Sequence, residues 1–113
     1  MKAQFDIWLA NLNPSKGTEP GKIRPVVIIQ TDLLNKVGHP SKLACPITSQ
    51  LSEEKNVLRV KLDTIGTGLE QDSEVLIDQI RALDNERLLQ RLGKIGADQS
   101  AELLWKLKAI LDI

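Results

Sequence analysis

Gly17-Thr18-Glu19-Pro20-Gly21-Lys22-Ile23-Arg24-Pro25-Val26-Val27-Ile28-Ile29 joins two halves with opposite physics. Gly17, Pro20 and Gly21 punctuate a loop, because glycine permits positive φ and proline fixes its own. Val26 to Ile29 is a wholly apolar, β-branched run and reads as a buried strand. Glu19 and Lys22 lie in the loop. Arg24 lies at the hinge, where Pro25 biases it towards extended backbone. A charge at the mouth of a buried strand can be aimed by a rigid scaffold, and sites concentrate on such loops. Taken alone, the stretch is read more plainly as a solvated loop with an arginine flanking a strand.

Outward from there, the remaining chain reads as more short strands. Phe5, Ile7 and Leu9 alternate with polar or small residues, so a strand runs from Phe5 to Leu12. Trp8 and Leu12 share its other face with Asp6, and Trp8 reads as core or subunit interface. Thr31-Asp32 caps a short helical turn through Lys36. Lys42 to Ile47 is a strand broken by Pro46, which suits an edge or a bulge. Thr48-Ser49-Gln50 follows at its end; such side chains reach a ligand or, more commonly, cap their own backbone. Val57 to Leu62 alternates as a half-buried strand with Arg59 and Lys61 on a basic outer face. Gly66-Thr67-Gly68 is a tight turn, lacking the spacing and lysine of a phosphate loop. Ser73 to Ile80 is a further strand leading to Arg81.

Asp84 to Gln90 is expected as a short helix with Asp84 at its N-cap, followed by a strand from Arg91 to Ile95. Asp98 then caps a terminal helix from Gln99 to about Leu111. Its apolar stripe is Leu103, Leu104, Leu107, Ile110 and Leu111, with Trp105 off centre. Many short strands, little helix between them and one terminal helix favour a small antiparallel barrel over a parallel sheet. The expected fold is mainly β: an SH3-like barrel with the last helix packed against it.

Composition narrows the function classes. The 113 residues predict one domain that buries ~65% of its unfolded surface. A hydrophobic share of 42% and a charged share of 27% describe a globular chain. Fifteen basic residues balance fifteen acidic ones, so any nucleic-acid site must be a local patch. One cysteine, Cys45, excludes an internal disulfide and a cysteine-built zinc site and fits a reduced, cytosolic home. His39 is the only histidine; without a second one or a carboxylate cluster beside it, it reads as a surface loop residue, not a metal ligand. No apolar run spans a membrane.

Asp6-Ile7-Trp8-Leu9 with Asn13-Pro14, then Gly17-Thr18-Glu19, Arg24-Pro25-Val26-Val27, Pro46-Ile47-Thr48-Ser49 and Asp78-Gln79-Ile80-Arg81 with Asp84 form an ordered set. In order and spacing this set resembles the MazF/PemK/Kid family of toxin endoribonucleases (mRNA interferases), nearly end to end. The resemblance implies an SH3-like barrel, a homodimer, a cognate antitoxin, no cofactor, and metal-independent cutting of single-stranded RNA. It assigns catalytic roles to Arg24, Thr48 and Glu19, with Thr18, Lys22, Ser49, Gln50, Asp78, Gln79 and Arg81 on the substrate side. Two positions depart from some members: Thr18 stands where they carry histidine, and Leu76 where they carry arginine. The Arg/Thr version of the site is the one this chain retains.

Metal-free RNA cleavage uses the substrate's own 2′-hydroxyl and needs a base, an acid and donors around the phosphorane oxygens. Arg24 suits a phosphate clamp, Thr48 and Ser49 can donate without adding charge, and Glu19 is the chemically easier base. The choice of base and acid stays open. Asp78 and Arg81 either contact substrate or pair with each other and buttress the site. Lys16, Lys22, Arg24, Arg59 and Lys61 are the cations available to line an RNA groove. A same-fold toxin that blocks DNA gyrase, or an inactive RNA-binding module, is the alternative.

Overall fold

The computed structural model describes all residues except 15, 16, 19–21, 54 and 55. Its strands are β1 (Asp6–Asn11), β2 (Ile23–Ile28), β3 (Ser41–Thr48), β4 (Arg59–Leu62), β5 (Ser73–Leu76), β6 (Arg81–Asp84) and β7 (Leu88–Lys94). Helix α1 (Asp32–Lys36) lies between β2 and β3, and α2 (Ala97–Leu111) ends the chain. The sheet runs β4-β5-β3-β2-β1-β7, with β6 also paired to β3. Every pairing among the described residues is antiparallel. The barrel-like antiparallel fold with a terminal helix is the one expected.

Strand β2 shows why the bent sheet needs a core on each face. Val27 enters one core with Ile7, Cys45, Ile47, Val75 and Leu103. Its neighbours Val26 and Ile28 enter a second core with Ala10, Leu12, Ala44, Leu83 and Leu88. Side chains alternate along a strand, so an apolar run without polar interruptions needs cover on both faces. Trp8 packs half-buried against the second core, with the Lys2 ammonium 5.0 Å from its ring centroid.

Strand β3 is the pivot, and here the structure corrects the reading of Pro46. The residue lies in a central strand and is fully buried, not on an edge. Beside it the neighbouring strand changes: Ser41–Ala44 pair with β6, whereas Ile47 and Thr48 pair with β5. From Ala44 to Ile47 β3 advances three residues, while its partner advances six, from Val75 to Arg81. The extra residues form a 3₁₀ turn, Ile77–Gln79. A proline has no N–H to offer a ladder, so its partner leaves the ladder at that point. The expected strand from Ser73 to Ile80 is therefore only β5, Ser73–Leu76, followed by the 3₁₀ turn; the next strand, β6, starts at Arg81.

Other boundaries differ as well. Asp84 to Gln90 is not a helix: a single 3₁₀ turn, Asn85–Arg87, leads straight into β7. Leu88 is buried in the second core opposite Ala10, so strand pairing overrides local helix propensity. Helix α2 begins with Gly96 at its N-cap, and Asp98 sits inside the first turn. Of its apolar stripe, Leu103 is buried and Leu107 packs against the first core, while Leu104, Ile110 and Leu111 stay exposed. A 15-residue helix resting on β4 and the 3₁₀ turn covers only a narrow face. The Thr31 cap of α1 forms as expected, its Oγ1 accepting from Leu33 N at 3.3 Å. No helix among the described residues is long and apolar enough to cross a membrane.

Candidate active site

Arg24 and Thr48 lie 24 positions apart in sequence and meet in one groove because β2 and β3 are neighbours. The groove has a volume of ≈ 580 Å³. Strand β2 and the residue before it contribute Lys22 and Arg24; the end of β3 contributes Thr48, Ser49 and Gln50. Leu69, Glu70 and Gln71 approach from the segment before β5 and Ser73 from its first position, and Leu9, Ile23, Pro25, Ile47 and Leu92 supply apolar surface.

Each contribution has a local cause. The Lys22 amide donates to Asn13 Oδ1 at 2.7 Å and its carbonyl accepts from Leu12 N at 2.8 Å, tying the start of β2 to the end of β1. Lys22 holds φ +66, a left-handed conformation costly outside glycine. Arg24 follows in extended backbone, half-buried and opposite Ala10. Thr48 is buried to 9% exposure, and the Gln50 amide donates to its Oγ1 at 3.1 Å. A hydroxyl has one hydrogen to give and two lone pairs, so this contact leaves the Thr48 hydrogen for another acceptor. The third contributor is held by the tight turn at residues 66–68. Gly68 sits at φ +74, and a Cβ there would press on the Leu92 backbone. Thr67 is buried, donates to Asp63 O and accepts from Leu69 N.

Behind the groove wall lies a buried carboxylate that sequence reading did not single out. Glu74 is 1% exposed and stands opposite Thr48 in the β3–β5 register. It accepts from Ser52 N (2.8 Å), Ser52 Oγ (3.0 Å) and Arg59 Nη1 (2.8 Å). Burial pushes its pKa up, but the Arg59 guanidinium and the Ser52 bonds together outweigh it, and the net value lies below the ordinary one. Nothing in the strand pattern around Val57–Leu62 or Ser73–Ile80 marks this pair. Only the β4–β5 register brings them together. Glu70 and Gln71, in a loop without a motif, and Ser73, at the start of β5, were missed as site residues because only the fold brings them to the groove.

Several expected site residues fall elsewhere. Asp78 is exposed and shares with Gln79 the 3₁₀ turn before β6, and Arg81 begins β6 opposite Ala44; none of them lines the groove. Thr18 is exposed in the loop before β2 and does not line it either. Arg59 and Lys61 line a different hollow of ≈ 610 Å³, between β4 and α2, with Glu102, Trp105 and Lys106. They are not cations of the Arg24 groove. Glu19 and Lys16 lie outside the described residues. Cys45 is buried in the first core; burial and then the nearby Asp78 charge push its pKa up to about 12, so the thiol is inert near neutrality. His39 is half-buried in its loop, with Nδ1 3.0 Å from Ser41 O. No three His, Cys, Asp or Glu side chains converge among the described residues.

A family model described as PemK-like, MazF-like toxin of type II toxin–antitoxin system matches residues 3–111. An endoribonuclease MazF from Staphylococcus saprophyticus is 40% identical over 103 residues, covering 91% of this chain and 85% of the relative. The crystal structure of MazF from Deinococcus radiodurans superposes with a TM-score of 0.79 at 31% identity, covering 98% of this chain and 96% of that one. A crystal structure of MazE–MazF from the same organism gives 0.73 at 28% identity, over 98% and 95%. The family model spans nearly the whole chain and the curated relative is 40% identical: the chain belongs to the PemK-like, MazF-like toxins of type II toxin–antitoxin systems.

Proposed function

We propose that this chain acts as a metal-independent endoribonuclease on single-stranded RNA, as one cytosolic domain, and that a cognate antitoxin restrains it. The observation that carries the reading is the convergence of Arg24 and Thr48 in one groove beside Lys22, Ser49 and Gln50. The names of the relatives support it: one is an endoribonuclease and another is MazF bound to MazE.

In this reading the 2′-oxygen, giving up its proton, attacks the adjacent phosphorus, the bond from phosphorus to the 5′-oxygen breaks, and the leaving 5′-oxygen takes a proton from solvent water. The products are a 2′,3′-cyclic phosphate and a 5′-hydroxyl. Charge builds on the phosphorane oxygens, and Arg24 meets it with a planar fork of donors. Thr48 adds a neutral donor whose oxygen is already held by the Gln50 amide. Lys22, Ser49 and Gln50 contact the flanking phosphates and sugars, with Thr18 beyond them on the loop. Glu19 serves as the proton acceptor. Of the two roles open to Asp78 and Arg81, buttressing is the one this reading takes, since neither they nor Gln79 line the groove. One groove of this size holds few nucleotides, and a two-fold pairing of subunits joins two into a longer track.

The test is incubation of the purified protein with single-stranded RNA in EDTA, followed by sequencing of the cut ends. Cyclic phosphate and 5′-hydroxyl ends at a short recurring sequence are expected. A substrate with 2′-deoxyribose before the cut should bind and stay intact. Cleavage of that substrate overturns the 2′-hydroxyl mechanism, and gyrase inhibition without RNA cleavage overturns the nuclease reading. Duplex RNA should resist, because sequence readers need unstacked bases.

A further inference from the structure

The Thr48 hydroxyl is held by a backbone amide, and that amide belongs to a segment held in turn from behind. Gln50 N–H donates to Thr48 Oγ1 at 3.1 Å. The Gln50 carbonyl accepts from Arg59 Nη1 at 2.9 Å, and the same nitrogen donates to Glu74 at 2.8 Å. Two residues further on, Ser52 donates both its amide and its hydroxyl to the two oxygens of Glu74. Residues 50–52 thus have no freedom to shift without breaking charge-assisted bonds to a carboxylate that is 1% exposed. Leaving such a group unpaired is costly, so the arrangement is stiff.

We infer that the Glu74–Arg59 pair is a positioning device that, acting through residues 50–52, fixes the direction in which Thr48 presents its hydroxyl to the groove. The inference rests on the reading of that groove as an RNA-cleaving site. Glu74 and Arg59 touch no substrate in it. Their contribution is to the transition state: a donor off by a fraction of an ångström forfeits part of its advantage without weakening ground-state binding.

The decisive measurement is a double-mutant cycle on single-turnover cleavage of a cognate RNA in EDTA, with Glu74→Gln and Thr48→Ala separately and together. Glu74→Gln keeps the shape of the side chain and one acceptor oxygen, enough for the Ser52 amide, while removing the charge and the second acceptor. It should lower kcat by about tenfold with KM changed by less than about twofold. On the Thr48→Ala background the same change should lower kcat by less than about twofold, because the group it positions is gone. Thermal unfolding of all four proteins establishes that they are folded. Ser52→Ala, at a half-buried loop site, removes one of the Glu74 bonds at little risk to the fold. It should give a loss of about threefold that likewise disappears with Thr48→Ala, and it decides the matter if Glu74→Gln does not fold. An equal loss on both backgrounds, or a folded Glu74→Gln with wild-type kcat, overturns the inference alone. A wild-type protein that cuts no RNA overturns the functional reading and this inference with it.

Discussion

Two hollows of nearly equal size open on this barrel, ≈ 580 Å³ beside β2 and β3 and ≈ 610 Å³ between β4 and α2. Both carry arginine and lysine, yet their charges are deployed differently. In the second, the ionic groups are mostly partners of one another. Arg59 pairs with Glu74 at 2.8 Å, and Lys106 pairs with Glu102 at 2.9 Å while also capping Arg59 O at 2.8 Å. In the first, polar side chains from three separate elements line one groove, and Thr48 keeps a hydrogen to give. Volume and cation count therefore do not distinguish a site from a seam. In the second hollow the ion pairs and backbone contacts commit the charges to structure, and a charge satisfied by its neighbour stabilises the fold and has less to offer a ligand.

The sharpest way to break this contrast is to truncate both sides and read activity and stability together. Arg24→Ala or Thr48→Ala should lower RNA cleavage by ~10²-fold or more, as loss of a transition-state donor does. Near-wild-type cutting by both folded variants would remove the groove's claim to the chemistry.

Arg59→Met should show up first as lost stability, by about 2 kcal/mol in urea unfolding, because the buried Glu74 loses its counter-ion. An unchanged urea midpoint would mean that the pair contributes nothing and the hollow is not a structural seam.

Acid should act on the same pair more gently. The folded pKa of Glu74 lies below its ordinary 4.5, so its contribution is fully present above that value and is lost as pH falls through the folded pKa. Between about pH 5 and about pH 3 the wild type should lose more stability than Glu74→Gln does. Parallel losses in the two proteins would contradict the direction of the shift.

Lys61→Ala should matter least: less than about 0.5 kcal/mol in stability and less than twofold in cleavage, since Lys61 is exposed and outside the Arg24 groove. A large drop in RNA affinity on this change would extend the substrate track across the hollow and soften the contrast.

Local chemistry was enough for much of this molecule. The apolar run Val26–Ile29, the alternation at Phe5–Leu12, the Thr31 cap and the glycine turn at 66–68 are each legible because strand burial, capping and positive φ depend on residues a few positions apart. The order of short motifs was enough to bring Arg24 and Thr48 under one family. What residues a few positions apart could not settle is everything that depends on which strand lies beside which. Pro46 reads as an edge residue or a bulge, and only the parting of β5 and β6 beside it decides against the edge. Asp84–Gln90 reads as helix until Leu88 finds its place opposite Ala10. Arg59 reads as an RNA-facing cation until the β4–β5 register sets it against Glu74, 15 positions away. Pairing between strands is a long-range contact, set by burial and register rather than by neighbours along the chain, and those are the places where local propensity loses.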